Sequence, residues 1–371
     1  MVAASRHLQR VAPVLACGLA VAAGGCALGG GSSGREAPSL ARGGTIRGGG
    51  ATLAAPLYRT WAAGFRAREG TDVRYEAIGF SRGVSEFTAG LVDFGTTDAP
   101  LNDVEVTTAA RDKSKPVHIP VAFGAVAVAY RLPAAGGGLR LDGATLAAMF
   151  LGRITRWNAP AIRKLNPGRR LPATPIGVVH RADSSGTTRL FTSYLAGGSR
   201  EWSRRVGTDE AVAWPVGTSA PGNSELERTM AARPGSIGYV DAGASRPGLS
   251  RARLPNRTGR FVAPTPAGIA AATRRLQDVP ADLRFLAVDA SPDPGAYPVA
   301  SAIFMLVYRD LCRAKIQPDS ARHVRRWLRF MLGASAQRLA AAAPGYAALP
   351  DEIAARARRA TDRLTCDGRR L

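Results

Sequence analysis

The sequence predicts a mixed α/β protein built as two lobes joined by a double crossover. Three observations lead there. From Thr45 onward, short apolar strand-like runs alternate with helical stretches, the pattern of a sheet covered by helices. Val117 to Leu132 forms an unusually long apolar β-like run, and Tyr297 to Tyr308 matches it near the other end. Two long strands that flank a central α/β unit make the first lobe discontinuous, with 45–117 and 298–371 in lobe I and 118–297 in lobe II. A chain of 371 residues is long enough for two such domains.

The chain opens on a targeting segment. Arg6 and Arg10 precede thirteen apolar residues, Val11 to Ala23, a length that suits a signal peptide and is too short to span a bilayer. Ala23-Gly24-Gly25-Cys26 follows, and then a flexible Gly29 to Gly34 tether. Small residues before a cysteine and a Gly/Ser tether after it resemble a bacterial lipobox. Residues 1–25 would be removed, Cys26 lipidated, and 26–44 would serve as linker. Ala23 stands where that motif usually has Leu, and an ordinary cleaved signal is the alternative. Cys17 would leave too few apolar residues ahead of it. The expected place is therefore outside the cytoplasm, with a lipid anchor holding the protein to the outer face of the cell membrane. Nothing after Cys26 is apolar enough for a transmembrane helix.

In lobe I, Leu57, Tyr58, Trp61, Ala62 and Phe65 share one helical face, with Pro56 at the helix start. Val73 to Ile78 reads as a strand leading into the turn Gly79-Phe80-Ser81-Arg82-Gly83 and a helix. Leu91 to Gly95 reads as another strand, ending in the polar turn Thr96 to Pro100. The central unit predicts a helix near 144–152, a strand at Pro175–Val179 and a helix from about Thr188. Strands at Trp214–Gly217 and Ile237–Val240 complete it. The C-terminal part is helical. Val324, Trp327, Leu328, Met331 and Leu332 form one apolar stripe, and Pro350-Asp351 starts a last helix.

The chain carries a net charge of +22, or +20 once Arg6 and Arg10 leave with the signal. Such a value ordinarily points to nucleic acid. Export removes that partner, and 46 of the 50 basic residues are Arg, a skew expected of a GC-rich genome. Arg322, Arg325, Arg326 and Arg329 also lie opposite the apolar stripe, as a solvated face does. A positive field would still steer anions toward a cleft. His7, His118, His180 and His323 are scattered, so neither a metal site nor a cofactor is expected. Export places the remaining pair, Cys312 and Cys366, in an oxidising compartment where a disulfide is expected; two buried thiols are the alternative.

Three turns could cradle an anion. Gly48-Gly49-Gly50-Ala51-Thr52 runs into a helix, with converging N–H groups and the Thr52 hydroxyl as donors. Arg181-Ala182-Asp183-Ser184-Ser185-Gly186-Thr187 lies between a strand and a helix. There Ser185, Gly186 and Thr187 can present N–H groups and two hydroxyls, while Arg181 offers a planar fork that Asp183 would orient. A plain helix cap with a surface ion pair is the bland reading of that turn. Asp98, at a strand end, suits an anion that itself carries a proton, because an ionised carboxylate accepts a hydrogen bond from phosphate and repels sulfate. Gly79 to Gly83 also spells G-x-S-x-G, with Asp98 and His118 following in the order of a serine hydrolase. Those residues lie too close together in sequence for the strands such an enzyme places between Ser81 and its acid and base.

Taken together, these segments resemble the PstS family, the phosphate-binding subunits of bacterial phosphate-specific ABC transporters. The likeness runs from about Gly48 to the C-terminus. It is carried by Gly50 to Pro56, Val92 to Leu101, Ile154 to Asn158 and Leu165 to Gly168. It continues through Arg181 to Thr187, Phe191 to Leu195, Gly235 to Val240 and Tyr346 to Pro350. The resemblance implies a two-lobed periplasmic-binding-protein fold of type II that closes on inorganic phosphate, no catalysis, and a permease as partner. A monomer is expected. It also implies ligand contacts at Thr52, the Leu53 backbone, Asp98, Arg181, Ser185, Gly186 and Thr187. Leu53 replaces a usual Phe at a contact made by its backbone, and two other departures from the family matter more. Phe80 stands where Ser is usual, leaving its N–H or the Ser81 hydroxyl to donate, and Arg82 stands where Gly is common, adding a charge to the rim or pointing to solvent.

Overall fold

The computed structural model of the protein describes residues 43–110, 113–274, 276 and 279–371. The expected signal, Cys26 and nearly all of the expected linker lie outside those residues. The first part holds β1 (Thr45–Gly50), α1 (Ala55–Glu69), β2 (Asp72–Glu76), α2 (Phe80–Ala89), β3 (Phe94–Thr97) and α3 (Asp103–Ala110). In α1, Pro56 sits in the first turn, where its missing N–H is not needed, and Leu57, Tyr58, Trp61 and Phe65 are buried on one face. β3 starts later than its apolar run suggests. Leu91 is exposed, and the Asp93 carboxylate accepts the Arg47 N–H instead of entering the core. Thr96 and Thr97, expected in the turn, are buried strand residues because Gly50 and Phe304 flank them as ladder partners.

The middle of the chain supplies β4 (Pro116–Tyr130), α4 (Gly143–Phe150), α5 (Pro160–Leu165), β5 (Gly177–Arg181), α6 (Gly186–Gly198) and α7 (Arg200–Arg205). β6 (Thr218–Ala220), α8 (Gly222–Ala232) and β7 (Ser236–Asp241) follow. The strand expected at Pro175–Val179 is shifted to Gly177. The one expected at Trp214–Gly217 is not a strand. Pro215 has no N–H for a ladder, Gly217 has φ 125, and Trp214 stacks on the His180 ring with centroids 4.9 Å apart. Three short strands, β8 (Ser250–Arg251), β9 (Leu254–Pro255) and β10 (Phe261–Val262), precede α9 (Pro266–Thr273). The chain returns through β11 (Ala300–Tyr308), α10 (Pro318–Met331), α11 (Ala334–Ala342), β12 (Tyr346–Ala347) and α12 (Asp351–Asp362). It closes in the hairpin of β13 (Thr365–Cys366) and β14 (Arg369–Arg370).

One sheet runs through both lobes in the order β2-β1-β3-β11-β4-β7-β5-β6. β4 makes this possible because its 15 residues reach about 50 Å at ~3.3 Å per residue. Pro116 to Ala125 pair with β11 and Val126 to Tyr130 pair with β7, both antiparallel. β1 is parallel to β2 and β3 on one side, and β5 is parallel to β6 and β7 on the other. Each lobe therefore has a set of parallel strands whose carboxyl ends are joined by turns to helices.

In α10 the expected stripe is buried at Val324, Trp327, Leu328 and Met331. Its arginine face is not wholly solvated. Arg325 donates to the Leu371 carbonyl, and Arg325 and Arg329 both pair with Asp362, so the stripe pins the end of the chain. Cys312 and Cys366 are bonded to each other, 54 residues apart in sequence. Replacing both with serine is expected to lower stability by roughly 3–4 kcal/mol, the entropy of closing a loop of that length. An unchanged urea midpoint would show that the cross-link contributes nothing. No helix among the described residues is long and apolar enough to cross a membrane.

Candidate functional site

In open α/β sheets ligands bind beyond the carboxyl ends of parallel strands. β1 ends at Gly50 and runs through Thr52 into α1. β3 ends at Thr97 and delivers Asp98. β5 ends at Arg181, whose following turn starts α6, and β6 ends just before α8. These four ends meet in one crevice.

The Arg181 side chain is wholly buried. Its Nε donates to Asp183 Oδ1 at 2.8 Å, and Nη2 donates to the other carboxylate oxygen. Nη1 donates to Asn223 Oδ1 at 2.7 Å and to Thr52 Oγ1 at 3.3 Å. Thr52 follows β1 and Arg181 ends β5, so this guanidinium bridges the two groups of parallel strands. Burial alone would raise the Asp183 carboxyl. Arg181 and the Gly222 N–H, 2.9 Å from Oδ1, hold it below its usual range instead.

Asp98 is 2% exposed and lies against the first turn of α6. Its Oδ2 accepts from the Thr187 hydroxyl at 3.2 Å. Its Oδ1 has no hydrogen-bond partner among the described residues. Burial pushes this carboxyl above its ordinary range, against the pull of its own N–H, the Arg181 charge, and the Thr187 hydroxyl and N–H. Gly186 is required for the close approach: a Cβ there would sit 1.7 Å from Asp98 Oδ1. The Asn223 Nδ2 and the Thr97 hydroxyl are likewise buried without partners. Of these, Asp98 Oδ1 and Asn223 Nδ2 belong to side chains that face the buried Arg181 cation, and orphaned polar atoms so placed mark a site built for a polar ligand.

Some expected donors face elsewhere. The Ser185 N–H donates to the Glu210 carbonyl at 2.9 Å, which leaves Gly186 and Thr187 as the N–H groups at the start of α6. The Ser185 hydroxyl accepts from the Thr188 N–H at 3.4 Å, the cap of that helix. The Phe80 ring is buried among Phe87, Leu101, Leu306 and Tyr308, and its N–H donates to the Ser184 carbonyl at 3.2 Å. The Ser81 hydroxyl donates to Ser184 Oγ at 2.6 Å. Phe80 and Ser81 thus clasp Ser184 across the crevice, correcting the expectation that they offer free donors. Gly79 permits this turn with φ 86. Arg82 is exposed and paired with Glu86. Ser81, Asp98 and His118 do not bond one another, since His118 Nε2 accepts the Leu101 N–H at 3.0 Å.

Three supporting residues escaped the sequence reading. Asn223 holds Arg181, and the only local hint is its place in a Pro221-Gly222-Asn223 helix start. The Tyr239 hydroxyl bonds Thr188 Oγ1 at 2.7 Å and accepts the Arg181 N–H at 3.1 Å, tying the two ends of the turn together. The Tyr346 hydroxyl donates to the Leu53 carbonyl at 2.7 Å and lies 3.0 Å from Asp241 Oδ2. Burial pushes the Asp241 carboxyl up to about 7.

A family model described as the PBP superfamily domain matches residues 35–335. The phosphate-binding protein PstS of Xylella fastidiosa strain Temecula1 is 37% identical over 264 residues, 71% of each chain. The phosphate-binding protein PstS of Methanocaldococcus jannaschii is 33% identical over 350 residues, 89% of this chain and 88% of its own. Among solved structures, the periplasmic phosphate-binding protein PfluDING, with phosphate bound, superposes with a TM-score of 0.68 at 22% identity. That match covers 85% of this chain and 93% of PfluDING, and it speaks for the fold. Fold and crevice define a two-lobed solute-binding protein. The chain belongs to the PBP superfamily and, within it, to the family of PstS phosphate-binding proteins.

Proposed function

We propose that the protein captures inorganic phosphate outside the cytoplasm and delivers it to the permease of an ABC transporter. The observation that carries this reading is Asp98, a buried carboxylate with one unpartnered oxygen, set against a helix start and within reach of the Arg181 charge. Phosphate near neutral pH always has a proton to donate to that oxygen, and sulfate has none. Arg181 and the Gly186 and Thr187 N–H groups meet the remaining oxygens with charge-assisted hydrogen bonds. The Thr52 and Ser185 hydroxyls and the Leu53 backbone complete the set, with Asp183 orienting the guanidinium. Ser81 and Phe80 act as a clasp on Ser184 that holds the jaws together.

In this reading lobe I comprises 45–117 with 298–371, and lobe II comprises 118–297. Bending takes place where β4 changes partner, between Ala125 and Val126. Capture needs no cofactor and no chemistry, and Ser81-dependent ester hydrolysis in the wild type would overturn the non-enzymatic assignment. Cys26 anchors the monomer to the membrane by its lipid, and nucleic acid is not a partner. The deciding experiment is a calorimetric titration of protein first stripped of bound phosphate, with phosphate and then sulfate. Phosphate is expected to bind and sulfate to give no heat; equal binding of both would end the role given to Asp98. Gly186→Ala must push Asp98 away from α6 and is expected to cost about 1–3 kcal/mol of phosphate affinity, as overpacking does. Wild-type affinity in that variant would show that Asp98 and Gly186 are apart when phosphate is held.

A further inference from the structure

We infer a second anion site, separate from the crevice, that takes a small anion carrying two or more linked phosphates. It is a cavity of about 430 Å³ between the start of β4, the end of β11, the loop at 281–284 and α12. Lys115, Arg284, Arg309, Arg356, Arg359 and Arg363 line it, and Asp282 is the one carboxylate among its lining residues. The whole chain has 50 basic residues to 28 acidic, so a general excess of arginine does not account for six to one here.

Two of these cations are committed to the wall. Arg284 bonds Asp282, Asp103 and the Leu101 carbonyl. Arg356 donates to the carbonyls of Val279 and Pro280. Lys115, Arg309, Arg359 and Arg363 make no ion pair with any described residue, and all four are exposed to solvent. His118 lines the cavity and is 2% exposed. Its Nε2 accepts the Leu101 N–H, so its proton sits on Nδ1, which has no partner among the described residues. Burial first, and then the charge of Arg284, push this imidazole down to about 3, so it stays neutral and offers one N–H donor.

The volume is about fourteen times a water's share of the liquid, more than a single tetrahedral anion fills. Four cations with no ion pair among the described residues, set around such a space, match an anion of several charges, because each phosphate can take its own charge-assisted bonds. The cavity is not part of the crevice. Asp98 follows Thr97, which pairs with Phe304, whereas His118, the cavity's lining residue on β4 nearest to it, pairs with Leu306, roughly 7 Å further along the strands at ~3.3 Å per residue. The segment from Ala99 to Leu101 separates the two sites.

Linked phosphates can come free in solution or with a charged lipid headgroup. The test therefore has two arms on the full chain, with inorganic phosphate in excess to fill the crevice. The first titrates inorganic tripolyphosphate by calorimetry. The second measures sedimentation with vesicles of phosphatidylcholine, with and without diphosphatidylglycerol. Wild type is expected to respond in at least one arm. The double variant Arg359→Glu, Arg363→Glu, altered on the exposed face of α12 and at the residue that caps it, is expected to bind at least about tenfold more weakly there, since each lost bond to a charged group is worth that much. Its binding of inorganic phosphate in the crevice should be unchanged, which shows that it folds. Tripolyphosphate binding alone assigns a soluble ligand; vesicle binding alone assigns the headgroup. No response in either arm, or an equal response from the double variant, overturns the inference.

Discussion

Phosphate binding is expected to fall by two to four orders of magnitude when Arg181 is replaced by methionine. Truncating one member of a buried, hydrogen-bonded charge set costs about 3–5 kcal/mol. The Arg181 side chain has no exposed surface, and it joins Thr52, beyond β1, to Asp183 and Asn223, beyond β5 and β6. Methionine fills a similar length without donors, so it removes a charge facing the anion and a cross-crevice contact together. The fold should survive, because the Asp183 side chain is 31% exposed and water can replace its partner. Arg181→Lys is expected to recover little. A lysine ammonium is a point charge and cannot hold the three partners in one plane. Calorimetry on phosphate-stripped protein checks both variants, and wild-type affinity in Arg181→Met would remove this residue from the site.

What the sequence makes legible is what local chemistry decides. Arg181 and Asp98 stand at strand ends next to turn residues, and the α1 and α10 stripes repeat with the helical period. The long run of β4 announces a strand that crosses between lobes. What stays hidden depends on partners far along the chain. Asn223 matters because Arg181 is 42 residues away, and Tyr346 because Leu53 is 293 away. Ser81 reads as a free hydroxyl until Ser184, 103 residues on, is seen to take it. The same logic explains the displaced strands. Leu91 is apolar enough for β3, but Asp93 is drawn to the Arg47 N–H, and pairing with Gly50 carries Thr96 into the sheet. Trp214 has strand propensity, yet the His180 ring offers a better stack.

Asp98→Asn is expected to change selectivity and stability in opposite directions. The asparagine amide can still accept through its oxygen, but it can also donate to sulfate and no longer repels it. The preference for phosphate should therefore narrow by about two orders of magnitude, part of the ~10⁴–10⁵ available to a site that pairs a substrate hydroxyl. Acid should imitate the substitution. Burial raises the Asp98 carboxyl, so the wild type takes up this proton at a higher pH than an ordinary aspartate does. Below that point the neutral carboxyl is a donor, and sulfate binding should appear in the wild type as pH falls, with no matching step in Asp98→Asn. The sign for stability follows from the same shift. A carboxyl raised in the folded state above its unfolded value contributes most below the unfolded pKa, and that contribution is lost as pH rises through the folded one. Wherever Asp98 is ionised it therefore destabilises the empty protein, and Asp98→Asn should melt at a higher temperature without ligand at pH values above that step. With phosphate in excess the advantage should shrink, because bound phosphate stabilises the wild type more than the variant. Continued exclusion of sulfate, both by Asp98→Asn and by the wild type in acid, would show that the discrimination lies elsewhere in the crevice.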